Sequence, residues 1–96
     1  MLNYLARDAR RIQQSLPEGT SVPDDADDLF LLYAVLLRAK GVDVQPEDVH
    51  DAWSAWMTGI DPQHESVVPY DELDAKTRAE DSPFLSAIRK VAAKER

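Results

Sequence analysis

The chain has no cysteine, which removes disulfides, thiolate zinc sites, iron–sulfur clusters and cysteine nucleophiles from consideration. Glycine is scarce: Gly19, Gly41 and Gly59 stand far apart, so no glycine-rich loop exists to cradle a phosphate. No long apolar run occurs either. The longest, Leu29 to Leu37, is nine residues, whereas a membrane-spanning helix needs about 20. Basic charge is in short supply as well, with 11 Lys and Arg against 18 Asp and Glu and a net charge of −7. Binding to a nucleic-acid backbone calls for a basic footprint, so neither nucleic acid nor a membrane is expected as a partner. Met1 to Leu16 carries Arg7, Asp8, Arg10 and Arg11 inside a helical pattern. With no separate apolar core or small-residue cleavage site, it reads as an amphipathic helix rather than a secretory signal. The expected compartment is the cytoplasm.

What is present describes one folded domain spanning residues 1–96. At 96 residues, with 44% apolar and 30% charged side chains, the chain builds a single core. Leu2, Leu5, Ala9, Ile12 and Leu16 recur at helical spacing, and Pro17 and Gly19 stop that helix. A second helix is expected from Pro23 to Lys40. Asp24, Asp25, Asp27 and Asp28 gather at its start, Arg38 and Lys40 at its end, and Gly41 follows as the cap, all in the sense the helix dipole favours. Its middle is apolar on nearly every side, which marks it as the central element. Val42 to Gln45 reads as a short extended link. Pro46 opens a third helix that runs to about Met57. Residues 58–72 are too apolar, through Val67, Val68 and Tyr70, for a solvated linker, and are expected to lie ordered on the core. Asp74 caps a short helix, 75–80. Ser82 caps the last one, with Pro83 at its first turn or marking a kink in one longer helix. The fold class is all-α: four to five short helices around a central apolar helix, with the aromatic loop 64–73 packed on Trp53.

Few groups offer chemistry. The Asp24–Asp28 group lacks the alternating ligand spacing, turn glycine and distal Glu of a calcium loop, and the helix start explains it. His50 and His64 are fourteen apart with no HExxH spacing and no third ligand, so no metal or other cofactor is expected. Ser54, Ser66, Ser82 and Ser86 have no nucleophile-elbow context, so no catalytic residue is assigned and the chain is not expected to be an enzyme. Trp53 and Trp56, three apart on a helix, point in neighbouring directions. Either packs a core, stacks a planar ligand or anchors an interface.

From residue 47 onward the chain resembles a known family. Glu47 to Trp53 reads EDVHDAW, with His and Trp three apart. His64 to Leu73 reads HESVVPYDEL, and the charged helix DAKTRAED leads into PFLSAIRKV. The pattern is similar to the ryanodine-receptor repeat, the RyR domain, in a divergent single-copy bacterial or phage form. It covers residues 47–92 and leaves residues 1–41 as an N-terminal helical extension. Met57-Thr58-Gly59-Ile60 stands where the family carries Gly-Trp and Tyr-Gly. The resemblance implies a non-catalytic recognition module that binds a nucleotide-derived or other small ligand, with His50, Trp53, His64, Pro69 and Tyr70 lining or bracing the site. Trp56 joins them on its helical position alone. In the calcium-release channel these repeats are paired, so a single copy implies a homodimer with an isologous interface.

Two other readings follow from composition. One is a protein-interaction adaptor or phage-encoded modulator of a host protein, which needs an exposed apolar or aromatic patch. The other is an acidic nucleic-acid mimic. It ranks last because the charge is spread, −4 over residues 1–48 and −3 over the rest, rather than gathered in a stripe.

Overall fold

The computed structural model describes residues 3–94. Met1 and Leu2, counted in the first helix by the sequence pattern, and Arg96 lie outside the described residues. Five α-helices follow one another: α1 (Tyr4–Gln14), α2 (Asp27–Lys40), α3 (Pro46–Thr58), α4 (Ala75–Ala79) and α5 (Ser82–Lys94). Short 3₁₀ turns cover Gly41–Asp43 and Tyr70–Glu72, and there is no strand among the described residues. The protein is all-α, as its periodicity predicts.

The core is built at the meeting of α1, α2, α3 and α5. Ile12, Leu29, Phe30, Tyr33, Val49, Ile88 and Val91 are all but inaccessible to solvent. Phe30, Tyr33 and Phe84 form an aromatic cluster with ring centres 5.6 to 6.1 Å apart. Residues of α1 and of α5 thus share one core with the centre of α2. The central helix is not covered all round, however. Val35 is exposed, and Leu31, Leu32 and Leu36 are only partly buried, so one apolar side remains open.

Helix ends follow local chemistry. Asn3 caps α1 by accepting from the Ala6 amide at 2.8 Å, and Asp74 caps α4 by accepting from Thr77 at 2.8 Å. At the start of α3 the Gln45 amide donates to the Asp48 carboxylate at 2.8 Å, and Lys40 at the end of α2 reaches the same carboxylate at 2.9 Å. Partial desolvation raises the Asp48 pKa, but the Gln45 amide and the Lys40 ammonium outweigh it and hold the carboxyl below its usual range.

Three sequence expectations change here. The second helix starts at Asp27, not Pro23, because Asp25 adopts φ 53° and breaks the helical path. Asp24 and Asp25 therefore belong to the preceding loop, and Asp27 and Asp28 alone lie in the first turn. The Val42–Gln45 link is not extended throughout: Gly41, at φ 57° and ψ −127°, turns the chain into a 3₁₀ turn before Val44 re-enters the core. Such a backbone pair is accessible to glycine alone without strain. The last helix begins at Ser82 itself, with Pro83 inside its first turn and separate from α4.

Two arginines tie the helices together. Arg89 on α5 donates from Nε and Nη2 to the Val44 carbonyl at 3.0 and 2.6 Å. Asp8 on α1 is fully buried and accepts from Arg38 Nε on α2 at 2.7 Å. The guanidiniums of Arg7 and Arg11 stand 4.0 Å from its other oxygen, which accepts no hydrogen bond. A buried carboxylate whose partner is removed keeps its desolvation cost. Arg38→Met should therefore lower stability by roughly 2 kcal/mol, less than a fully enclosed pair would lose because the arginine is half exposed. Urea denaturation at pH 7 measures it, and adding Asp8→Leu should recover part of the loss.

Candidate functional site

The site forms around His50, in the middle of α3, where the imidazole is 3% exposed. Its Nε2 lies 2.6 Å from the Val68 carbonyl. A carbonyl oxygen only accepts, so Nε2 carries the proton and donates it. Ser54 Oγ, one turn along α3 and 3.3 Å away, is a weaker second neighbour of the same nitrogen. On the other side of the ring, Nδ1 faces Asp81 Oδ2 at 3.9 Å. Ser54, His50 and Asp81 thus stand in the order of a hydrolase triad. The chemistry fails at the first step, because Nε2 has no lone pair with which to take a serine proton.

Aromatic side chains surround this imidazole. Trp53 stacks on His50, 5.8 Å between ring centres and 20° between planes, and His64 meets the Trp53 ring edge-on at 5.2 Å. His64 Nδ1 accepts from the Ser66 amide at 3.0 Å, which leaves Nε2 as its protonated nitrogen. Loop 64–73 does pack on Trp53 and His50, as expected.

A pocket of about 610 Å³ opens beside this cluster. His50 and Trp53 of α3, His64 and Ser66 of the following loop, Leu29 and Tyr33 of α2, and the α4–α5 turn border it. The loop from Gly19 to Pro23 closes the remaining side. Of the six residues that sequence reasoning assigns to a site, His50, Trp53 and His64 come together here. Tyr70 lies behind His50, with ring centres 6.2 Å apart, and does not border the pocket. Pro69 is exposed and forms the N-cap of the 3₁₀ turn. Trp56 faces elsewhere, into a second groove of about 470 Å³ with Leu5, Leu31, Leu32 and Val35. Its offset of three residues from Trp53 rotates it towards the uncovered side of α2.

Residues that sequence reasoning passes over complete the pocket. Tyr33 is 1% exposed, and its hydroxyl has no hydrogen-bond partner among the described residues. Burial, reinforced by the nearby Asp81 carboxylate, pushes the phenol pKa up. A phenol inside a nine-residue apolar run was the available signal, since a buried tyrosine hydroxyl ordinarily finds a partner. Asp81 had no such signal, since it reads as one more charge before a helix. Lys76, Arg78 and Arg89, the cations nearest in sequence to this region, do not border the pocket. Arg78 donates to the Tyr70 and Asp71 carbonyls at 3.2 and 2.8 Å and lies over the Tyr70 ring. Arg89 is held by Val44. Among the described residues no three His, Asp or Glu side chains gather closely enough to hold a metal ion, and no helix is long and apolar enough to cross a membrane.

Desolvation raises the Asp81 pKa to about 6, with His50 pulling it down and Glu80 pushing it up. The folded protein therefore takes up a proton on Asp81 at a pH where the unfolded chain does not. The sign follows from linkage: stability from this group rises as pH falls through about 6 towards 4, and is lower above that window. Asp81→Asn should raise stability at pH 7.5 by on the order of 1 kcal/mol and flatten the dependence between pH 6 and 4. Thermal melts of both proteins across that range measure it, and parallel curves would refute the assignment.

Comparison with known proteins gives one match. The family model described as Domain of unknown function (DUF7701) matches residues 3–93. No curated protein and no solved structure matches the chain. The matched span takes in α1 to α4, all of α5 but Lys94, and every residue that borders the pocket, and the chain belongs to the DUF7701 family.

Proposed function

We propose that the chain is a non-catalytic recognition module that takes a small ligand into the pocket beside His50, and that it acts in the cytoplasm. The observation that carries this reading is the convergence of His50, Trp53 and His64 on one space of about 610 Å³ that Tyr33 also borders. Pockets for small ligands combine apolar and aromatic walls with a few placed polar groups and span about 300–1,000 Å³. The resemblance to the ryanodine-receptor repeat supports the same reading, since it implies a small-ligand site at His50, Trp53 and His64. The fixed His50 tautomer supports a binding role over a catalytic one.

A panel of nucleosides, nucleotides and planar amines, screened by thermal shift, tests it. A ligand at 100 times its Kd adds about 2.7 kcal/mol, which moves Tm by more than about 10 °C in a domain of this size. Trp53→Ala should abolish that shift, whereas Trp56→Ala should leave it intact because Trp56 lies in the other groove. No shift from any member overturns the reading.

A protein partner is the second reading, and a separate observation favours it. The groove at Trp56 is apolar, and Val35 beside it is 48% exposed. Such a surface suits an adaptor or the homodimer that a single RyR-like copy implies. Light scattering on the purified chain should give the dimer mass, and a monomeric mass at working concentration excludes the homodimer.

A further inference from the structure

The polar groups around the pocket are unequal in kind. With Nε2–H committed to Val68, His50 presents only a lone pair at Nδ1. Asp81, 3.9 Å from that nitrogen, presents carboxylate oxygens. At that separation the two do not bond each other, and with the ring neutral both are acceptors. Glu80, also on the pocket border, adds a second carboxylate. Among the described residues no lysine or arginine borders the pocket; Arg78 and Arg89 are engaged with backbone carbonyls elsewhere, and Lys76, beside Thr77, is exposed. Tyr33, nearly inaccessible to solvent, borders the same space. The Trp53 and Phe84 rings supply apolar walls with electron-rich faces.

We infer that the pocket selects a small planar organic cation bearing N–H donors, an aryl-amidinium or aryl-ammonium class of ligand, and rejects phosphates. The inference rests on the binding role proposed above and names the ligand chemistry of that site. One N–H donates to Asp81 and a second, or the same group, to His50 Nδ1. The positive charge is met by Asp81 and Glu80, the ring lies against Trp53, and the Tyr33 hydroxyl turns to whichever edge needs it. A phosphate placed in the same space would meet two carboxylates and the His50 lone pair, and the neutral His64 N–H does not offset two negative charges. The charge-assisted bond to a half-buried carboxylate supplies the discrimination.

Benzamidine is the probe, with benzamide as its neutral isostere and adenosine and AMP as further arms. The full chain carrying Trp56→Phe leaves Trp53 as the sole tryptophan reporter, and titration calorimetry gives Kd independently. Benzamidine should perturb Trp53 emission and bind at least tenfold tighter than benzamide. Asp81→Asn, which keeps the shape of the side chain, should weaken benzamidine at least tenfold and leave benzamide unchanged. Tyr33→Phe should weaken it several-fold. Affinity should also fall as pH drops below about 6, where Asp81 takes up its proton. His50, His64, Glu80 and Tyr33 are the other titratable groups on the pocket border.

Equal binding of benzamide and benzamidine, or full affinity in Asp81→Asn, overturns the cation inference. If adenosine or AMP binds, with loss in Trp53→Ala, while benzamidine does not, the cation inference falls and the recognition role stands. If no probe binds, both fall.

Discussion

The hydrogen bond from His50 Nε2 to the Val68 carbonyl at 2.6 Å is the interaction on which the site depends. It anchors the long segment after α3, which has little regular structure of its own, to the rigid body of the helix. It also fixes the imidazole tautomer, and with it the chemical character of the pocket wall. A buried carbonyl left without a donor costs on the order of 1–3 kcal/mol, so ring and loop hold each other in place. Once the loop is fixed, His64 is set against Trp53, and Tyr70 closes on His50 from behind. Arg78 then completes the brace by bonding the carbonyls of the Tyr70–Glu72 turn.

The same bond settles what His50 can do. An imidazole between a serine and an aspartate invites a catalytic interpretation, yet with its Nε2 proton given to Val68 the ring is no base for Ser54 in this arrangement. The nitrogen nearest Ser54 is a donor, and the nitrogen nearest Asp81 is an acceptor. Asp81 lies 3.9 Å from that nitrogen in a partly desolvated place, and desolvation pushes its carboxyl up to about 6. The pocket wall is therefore acceptor-rich at His50 and Asp81, while His64 keeps an N–H at Nε2. Residue type by itself would assign histidines to phosphate or ribose oxygens; their hydrogen-bond partners assign at least His50 the opposite role.

Fold class was legible in the sequence because it rests on periodicity. The spacing of Leu5, Ala9 and Ile12, of Val49 and Ala52, and of Phe84, Ile88 and Val91 marks the faces that the structure buries. Boundaries were less legible where a single backbone angle decides them. Asp25 at positive φ moves the start of α2, and no composition rule announces it. Half of the expected site residues share the pocket because His50 and Trp53 lie on one helix face and loop 64–73 is too apolar to leave the core. Trp56 separates from them by rotation around α3. Tyr33, Asp81 and the 19–23 loop come to the pocket through long-range packing of α2, the α4–α5 turn and the segment after α1. Spacing along the chain carries no record of such encounters.

The clamp between Arg89 and the Val44 carbonyl bears on how the chain reaches its native state. Val44 lies ahead of α3 and wholly inside the core, and the donor that satisfies its carbonyl sits 45 residues later on the last helix. The first half of the domain thus buries a polar atom whose partner has not yet been synthesised. Until α5 docks, that carbonyl keeps its hydration only if the core around it stays open. A chain that lacks α5 buries that carbonyl only by leaving a hydrogen bond unmade, at a cost on the order of 1–3 kcal/mol.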